Sequence, residues 1–391
     1  MEKFTYYAPT EVVFGAGTEL TCPDYVKQYG GSRVFVVYGG GSVERSGLLE
    51  RVTDALRASG LTVELFGGAK PNPTVAHVRE GIQKAVAFEA DFVLAIGGGS
   101  SIDTAKAIAH GTANPEHDIW SIWTREVPLE RSLPIGVILT ISAAGSEMSD
   151  SAVLTNEEIH RKRGINTRFN RAKFAIMNPE LTYTLPKYQI ACGTTDIMMH
   201  TLDRYFNPME NELTDALAEA LLRTVIQFGT KALEDPTDYE AQSELMWASS
   251  LSHNGLTGLG GKPDFAVHQL GHEISARFDL AHGASLAAVW GAWADYVCPA
   301  KVSRFARYAR TVCGVVESDD ETAAAEGIRK TVAYFDSLGM PTGFGGCIGV
   351  QSDETVRDMA YRCAYEGTRT IGTFKVLNEQ DICEIYRKAN H

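Results

Sequence analysis

The chain has no Cys-x-x-Cys pair, and its seven cysteines (Cys22, Cys192, Cys298, Cys313, Cys347, Cys363 and Cys383) are odd in number and widely scattered. That excludes a thiolate zinc cluster built from close pairs and a closed disulfide framework, and it fits free thiols in a reducing compartment. No run approaches the roughly 18 apolar residues of a membrane-spanning helix. The opening Met1-Glu2-Lys3-Phe4 lacks the apolar stretch of a secretory leader. The expected location is the cytoplasm, with no membrane partner. Positive charge is also scarce: 36 Lys and Arg stand against 49 Asp and Glu, a net charge of −13. Such a chain has little means of holding a polyphosphate backbone, so nucleic acid is not an expected partner. The G-x-G-x-x-G fingerprint is missing too. After Gly97-Gly98-Gly99 its third glycine slot falls on Ile102, and Gly15-Ala16-Gly17 fails at Leu20.

What is present is an ordinary globular composition, 44% hydrophobic and 22% charged over 391 residues, long enough for two domains. In the first half, short apolar runs alternate with amphipathic ones. Arg33–Tyr38, Leu61–Phe66, Asp91–Ile96 and Pro134–Thr140 read as strands, and Leu48–Ser59, a stretch from about Thr74 to Phe88, and Ser101–His110 read as helices. Strand-helix alternation implies a parallel sheet covered on both faces. After Leu185-Pro186 the strand signal fades. Leu213–Leu233, Glu244–Leu256, Phe265–Arg277, Ala284–Val297 and Gly327–Leu338 carry helical spacing. The expectation is an α/β dinucleotide-binding domain over 1–185 and an all-helical domain over 186–391.

Two glycine-rich turns follow strands. Gly97-Gly98-Gly99-Ser100 opens a helix, where backbone N–H groups and the helix N-terminus suit a diphosphate. The bland alternative is a plain strand-to-helix turn with a serine cap. Gly39-Gly40-Gly41-Ser42 follows the first strong strand. Dinucleotide sites that select NAD place a carboxylate there for the ribose hydroxyls; glycines and Ser42 stand in its place, with Arg45 and Glu44 close by. NADP is therefore favoured, NAD being the alternative. A basic stretch, Arg161-Lys162-Arg163 with Arg168, Arg171 and Lys173, reads either as a solvated loop or as a patch beside an anionic cofactor.

Five of the ten histidines fall between residues 200 and 282. Asp196 and His200 are an i, i+4 pair, as are His268 and His272, and each pair shares one face of a helix. His282 follows ten residues after His272. Three imidazoles and a carboxylate suit zinc or ferrous iron; by spacing alone, satisfied structural histidines explain the set equally well. His77 and His253 are read as structural.

At this point the sequence resembles the iron-containing (group III) alcohol dehydrogenase family, and within it the NADPH-dependent butanol dehydrogenase and aldehyde reductase branch. The resemblance spans essentially the whole chain. It is carried by Tyr-Gly-Gly-Gly-Ser at 38–42, Pro71-Asn72-Pro73-Thr74, the Gly-Gly-Gly-Ser-Ser-Ile-Asp-Thr-Ala-Lys run at 97–106, Gly145-Ser146-Glu147, Asn178-Pro179, Tyr183–Pro186, Asp196…His200-Thr201-Leu202-Asp203, and Phe265…His268…His272-Glu273…Ala281-His282-Gly283. It implies a fold like that of dehydroquinate synthase. It also implies one divalent metal, iron or zinc, on Asp196, His200, His268 and His282. Gly97, Gly98, Gly99 and Ser100 then form the diphosphate loop, and Gly40, Gly41, Ser42 and Asn72 join the dinucleotide contacts. Asp103, Thr140, Ser142 and Lys162 lie toward the nicotinamide, and Thr184 and Leu185 toward the adenine. The family's T-G-T-G-S-E is Ser142-Ala143-Ala144-Gly145-Ser146-Glu147 here, which replaces both threonines while the hydroxyls of Ser142 and Ser146 remain.

The function so implied is hydride transfer between NAD(P)(H) and a primary alcohol/aldehyde pair of the butanol type, by a homo-oligomer, a dimer being favoured. Asp103 and His272 are the candidate catalytic groups, His272 as a proton relay to solvent or else an outer-sphere or core histidine. The alternatives are a dinucleotide- and metal-dependent lyase of the dehydroquinate synthase type and a non-catalytic metal- or nucleotide-binding module. The lyase needs a cationic pocket, whereas the stretch around the ligands holds Phe265, Leu286, Trp290 and Trp293.

Overall fold

The structure, a computed structural model, describes every residue except His160. The chain divides into two compact units, Tyr7–Thr184 and Leu185–His391, the latter joined by Met1–Tyr6. The sequence reading begins the first half at residue 1. Instead the first six residues count with the second unit, where the Glu2 N–H donates to the Gly260 carbonyl at 2.9 Å.

The first unit runs β1 (Glu11–Phe14), α1 (Cys22–Gln28), β2 (Arg33–Tyr38), α2 (Ser42–Arg45), α3 (Leu48–Ala58), β3 (Thr62–Phe66), α4 (Val75–Ala87), β4 (Phe92–Gly97), α5 (Gly99–Ala113), α6 (Ile119–Trp123), β5 (Ile135–Leu139), β6 (Ser151–Asn156), β7 (Arg161–Asn166) and β8 (Phe174–Met177). Six strands form one sheet in the order β1-β8-β5-β4-β2-β3, and every pairing in it is parallel. Alternation along β2 explains the two covered faces. Val34 and Val36 pack with Val52 and Leu56 of α3, while Phe35 points the other way and stacks on Phe66. From β2 the chain steps outward to β3, then returns across β2 to β4. The topological switch point therefore lies between β2 and β4, and parallel sheets of this kind bind ligands beyond the strand ends there.

β6 and β7 form a separate antiparallel hairpin. The basic run read as a loop or patch is therefore strand β7 from Arg161 to Asn166, followed by a 3-10 turn over Arg168–Asn170. Its charged side chains hid a strand whose partner, β6, alternates regularly between buried and half-buried positions. The helix expected from Ser101 begins at Gly99 instead.

The second unit is helical: α7 (Lys187–Tyr205), α8 (Glu212–Glu234), α9 (Tyr239–His253), α10 (Ala266–Phe278), α11 (His282–Val297), α12 (Val302–Thr311), α13 (Asp320–Ser337), α14 (Asp353–Cys363) and α15 (Glu379–Ala389). Helix starts missed by periodicity carry ordinary caps. Asp319 caps α13, Ser352 caps α14, and Asn378 with Asp381 forms a capping box on α15.

The core of this unit is aromatic, with Phe206 stacked on Phe305 at 4.2 Å between ring centroids. Beside it the fully buried Arg304 donates to both oxygens of Asp215 (2.5 and 2.6 Å) and to the Tyr205 carbonyl at the end of α7. This ion pair fixes where α7 stops. Removing one partner strands a buried charge, so Asp215→Ala should cost about 3–5 kcal/mol, measured as a shift in the denaturation midpoint of the whole chain.

Candidate metal centre and dinucleotide loops

Asp196, His200 and Asp203 lie at i, i+4 and i+7 on α7, one face of a single helix. His268 stands in the first turn of α10, and His282 is the first residue of α11. The start of α11 comes close to α7 because residue 283 is glycine: a Cβ there would lie 2.2 Å from the Cys192 carbonyl oxygen. These placements surround one atom. Asp196 Oδ1 is 3.3 Å from His200 Nε2 and 3.8 Å from both His268 Nε2 and His282 Nε2. Asp196, His268 and His282 can each offer a ligand atom with all three within 4.8 Å of one another. His200 stands against the same carboxylate but also faces His253, whose Nδ1 is 3.1 Å from its Nε2.

The donor set fits a divalent ion. Ligand atoms on a tetrahedral ion with bonds of about 2.1 Å stand roughly 3.4 Å apart, close to the separations found. Asp196 Oδ1 and His268 Nε2 are buried and make no hydrogen bond, a costly arrangement unless something binds them. Asp203 completes the support: its Oδ2 lies 2.6 Å from His268 Nδ1, which turns Nε2 toward the centre, where it ligates once its proton is lost, the usual outer-sphere arrangement at a metal-binding histidine. Sequence reasoning assigned Asp203 no role, although its spacing from Asp196 signals the shared face. Burial and the neighbouring imidazoles hold His200 well below the ordinary histidine range, neutral and able to ligate. Burial also pulls His268 down, but the carboxylates of Asp196 and Asp203 outweigh it and hold its pKa at about 9.

His272 stacks on His282 at 5.4 Å between centroids and lies 6.4 Å from His268. It is half-buried, as a relay to solvent requires. Of the four apolar residues invoked above, only Phe265 stands beside the imidazoles, 5.4 Å from the His268 ring. Leu286, Trp290 and Trp293 are core residues.

In the α/β unit both glycine turns sit at the carboxyl ends of β2 and β4, flanking the switch point. They touch: a Cβ on Gly39 would lie 3.1 Å from Ser101 Oγ. Gly97 has φ +149°, and a Cβ on Gly98 would fall 2.2 Å from the Ile141 side chain. Close packing thus accounts for these two glycines on its own. No side chain caps α5, so the first N–H groups of Gly99, Ser100 and Ser101 are available to an anion. Ser142 adds a buried hydroxyl without a hydrogen-bond partner, and Thr140 hydrogen-bonds through its N–H to Gly97. Gly40 is open around its Cα, Gly41 precedes α2, and Ser42 is exposed. Lys162 Nζ donates to Asn72 Oδ1 at 2.9 Å. Thr184 is exposed and Leu185 half-buried.

Asp103 lies on α5, one turn after Gly99. Both of its oxygens are occupied within the chain, Oδ1 by Ser146 Oγ at 2.6 Å and Oδ2 by the Val153 N–H at 2.9 Å. Lys106, fully buried, donates to the carbonyls of Ser146 and Ser151 and to Ser146 Oγ. Together they tie α5 to the 146–153 segment. Asp103 thereby holds α5 to that segment through both of its oxygens.

Comparison with known proteins resolves what the geometry leaves open. A family model described as iron-containing alcohol dehydrogenase matches residues 9–179, and one described as the C-terminal part of the same family matches residues 190–390. The chain belongs to the iron-containing alcohol dehydrogenase family. As an alcohol dehydrogenase it is 39% identical to NADH-dependent butanol dehydrogenase A of Clostridium acetobutylicum over 100% of both chains. It is 35% identical to NADPH-dependent aldehyde reductase YqhD of Escherichia coli over 88% of each. The crystal structure of NADH-dependent butanol dehydrogenase A from Thermotoga maritima superposes with a TM-score of 0.96, at 33% identity, covering 100% of this chain and 99% of that one. The lyase reading finds no support among these relatives. No helix among the described residues is long and apolar enough to cross a membrane.

Two outcomes follow for this dehydrogenase. Asp203→Asn should weaken metal binding by about 10–100-fold, the usual loss when an outer-sphere carboxylate is removed, as measured by competition with a chelator. Below pH about 9 the His268 ring carries a proton that an incoming ion must displace. Affinity should therefore fall as pH falls, by roughly tenfold per unit, and level off above pH 9. Titration calorimetry in two buffers of different ionisation enthalpy reads the released proton directly.

Proposed function

We propose that this dehydrogenase interconverts a primary alcohol of the butanol type and its aldehyde with NAD(P)(H), holding one ferrous or zinc ion on Asp196, His200, His268 and His282. The observation that carries this reading is the convergence of three imidazole Nε2 atoms on the single oxygen Asp196 Oδ1. When bound, the ion supplies Lewis acidity to the substrate oxygen and the nicotinamide supplies or accepts hydride.

The protein's own groups do the rest. Asp203 holds the His268 ring in orientation. His272, stacked on His282 and half-exposed, passes the hydroxyl proton to solvent or returns it. Gly99, Ser100 and Ser101 present N–H groups at the start of α5 to the diphosphate. Ser142 offers its hydroxyl, and Lys162, steadied by Asn72, contributes positive charge. Around Gly40, Gly41 and Ser42, Glu44 accepts a hydrogen bond from Tyr38 at 3.0 Å, while Arg45 Nη1 would lie 2.9 Å from a Cβ on Gly41. The Arg45 guanidinium against the turn supports a 2′-phosphate, hence NADP over NAD, although Glu44 Oε2 would lie 3.6 Å from the same Cβ. Both cofactors occur among the named relatives. The seven free thiols support a cytoplasmic setting.

Purified protein loaded with iron(II) or zinc should oxidise NADPH with butanal, with kcat/KM higher than for NADH. His268→Ala should lose bound metal and turnover together, and Arg45→Ala should lower kcat/KM for NADPH more than for NADH. Full turnover in the metal-free His268→Ala protein would overturn the reading, and an NADH preference untouched by Arg45→Ala would overturn its cofactor half.

A further inference from the structure

The turn after β2 carries a hydrogen bond whose placement bears on which dinucleotide the site takes. Tyr38 closes β2, and its hydroxyl donates to Glu44 Oε1 at 3.0 Å, reaching past the Gly39–Ser42 turn. The neighbouring strand end fixes that ring. A Cβ on Gly67, just beyond β3, would lie 2.5 Å from Tyr38 Cζ and 2.7 Å from its hydroxyl oxygen. The ring therefore lies across residue 67 and needs a glycine there. The two backbones are tied at the same level: the Ala69 N–H donates to the Tyr38 carbonyl and the Gly68 N–H to the Gly39 carbonyl, each at 3.2 Å. Two strand ends thus aim the phenol at the carboxylate.

Opposite charges stand at this one turn. Arg45 Nη1 would lie 2.9 Å, and Glu44 Oε2 3.6 Å, from a Cβ on Gly41. The diphosphate expected at the start of α5 lies beyond β4, and β2 is the next strand in the sheet, so the adenosine ribose falls beyond β2. That ribose presents either two adjacent hydroxyls or a hydroxyl and a phosphate. A carboxylate accepts from the hydroxyls and repels the phosphate. Gripping both hydroxyls takes both of its oxygens, and Tyr38 already occupies one of them.

We infer that Tyr38 is a specificity-determining positioning residue: by holding Glu44 it weakens recognition of the bare ribose and tilts the turn toward a 2′-phosphate. The inference rests on the dinucleotide reading above and names the device that tunes it. Arg45 attracts the phosphate, and the Tyr38–Glu44 bond restrains the carboxylate that competes with that attraction.

The test compares adenosine 2′,5′-bisphosphate with adenosine 5′-monophosphate, which differ only in the 2′-phosphate, by titration calorimetry on zinc-loaded protein without turnover. Tyr38→Phe keeps the ring against Gly67 and removes the hydroxyl. The ratio of the two affinities should fall about three- to tenfold, the effect of losing one modest hydrogen bond to a charged group. Gly67→Ala displaces the ring and should lower the ratio in the same direction. Glu44→Gln should raise it, and adding Tyr38→Phe to Glu44→Gln should change it no further, because no carboxylate is left to restrain. A ratio unchanged by Tyr38→Phe, or lowered equally in the Glu44→Gln background, would overturn the inference; thermal midpoints check the folding of each variant. The two levels separate in the parent. Equal affinity for both nucleotides there refutes the NADP preference, while the coupling between Tyr38→Phe and Glu44→Gln still decides the role of Tyr38.

Discussion

One carboxylate oxygen organises the helical unit. Asp196 Oδ1 is buried, makes no hydrogen bond, and has three imidazole nitrogens within 3.8 Å. A desolvated anionic oxygen of this kind is expensive to keep unless a cation or a set of donors meets it. The histidines meet it only in part, because His200 is held neutral by burial and its neighbours. A divalent ion would satisfy the oxygen and the imidazole lone pairs at once. The constraint also explains the surrounding scaffold: Arg304 and Asp215 fix the end of α7, and Gly283 lets the start of α11 approach Cys192, one turn before Asp196.

The α/β unit depends on a different buried charge. Lys106 is fully enclosed, and burial lowers its pKa to about 8, yet its ammonium collects two carbonyls and a hydroxyl from the 146–151 segment. Asp103, one turn earlier on α5, takes the Ser146 hydroxyl and the Val153 N–H. These bonds tie the hairpin of β6 and β7 to the helix that opens on the glycine turn. The Gly-Gly-Gly-Ser-Ser-Ile-Asp-Thr-Ala-Lys run thus joins two tasks. Its first residues can meet an anion, and its last two charged ones hold the neighbouring segment.

Much of this was legible in the sequence because it obeys short periods. The i, i+4 spacing of Asp196 with His200, and of His268 with His272, needed only a helix to become geometry. Four of the six sheet strands, β2 to β5, were visible as apolar runs. The other two, β1 and β8, are only four residues long, and β7 begins with Arg161, Lys162 and Arg163, which composition assigns to solvent. What the sequence hid is what depends on long-range contact. Asp103 has the residue type of a catalytic acid, and its ties to partners 43 and 50 positions away have no local signature. Trp290 and Trp293 look like substrate-lining aromatics near a ligand, but helical phase turns them into the core.

His253 marks the sharpest limit of such reading. It stands 53 residues from His200, so no periodicity links them. Their meeting is set by where α9 ends and by the packing of α9 on α7, neither of which has a local signature. The same holds for Asp203 and His268, 65 residues apart and joined by a 2.6 Å contact. In both cases a histidine of a short motif meets a partner from another helix. A metal centre needs both, because imidazoles free to rotate would lose the convergence on Asp196 that their spacing alone does not guarantee.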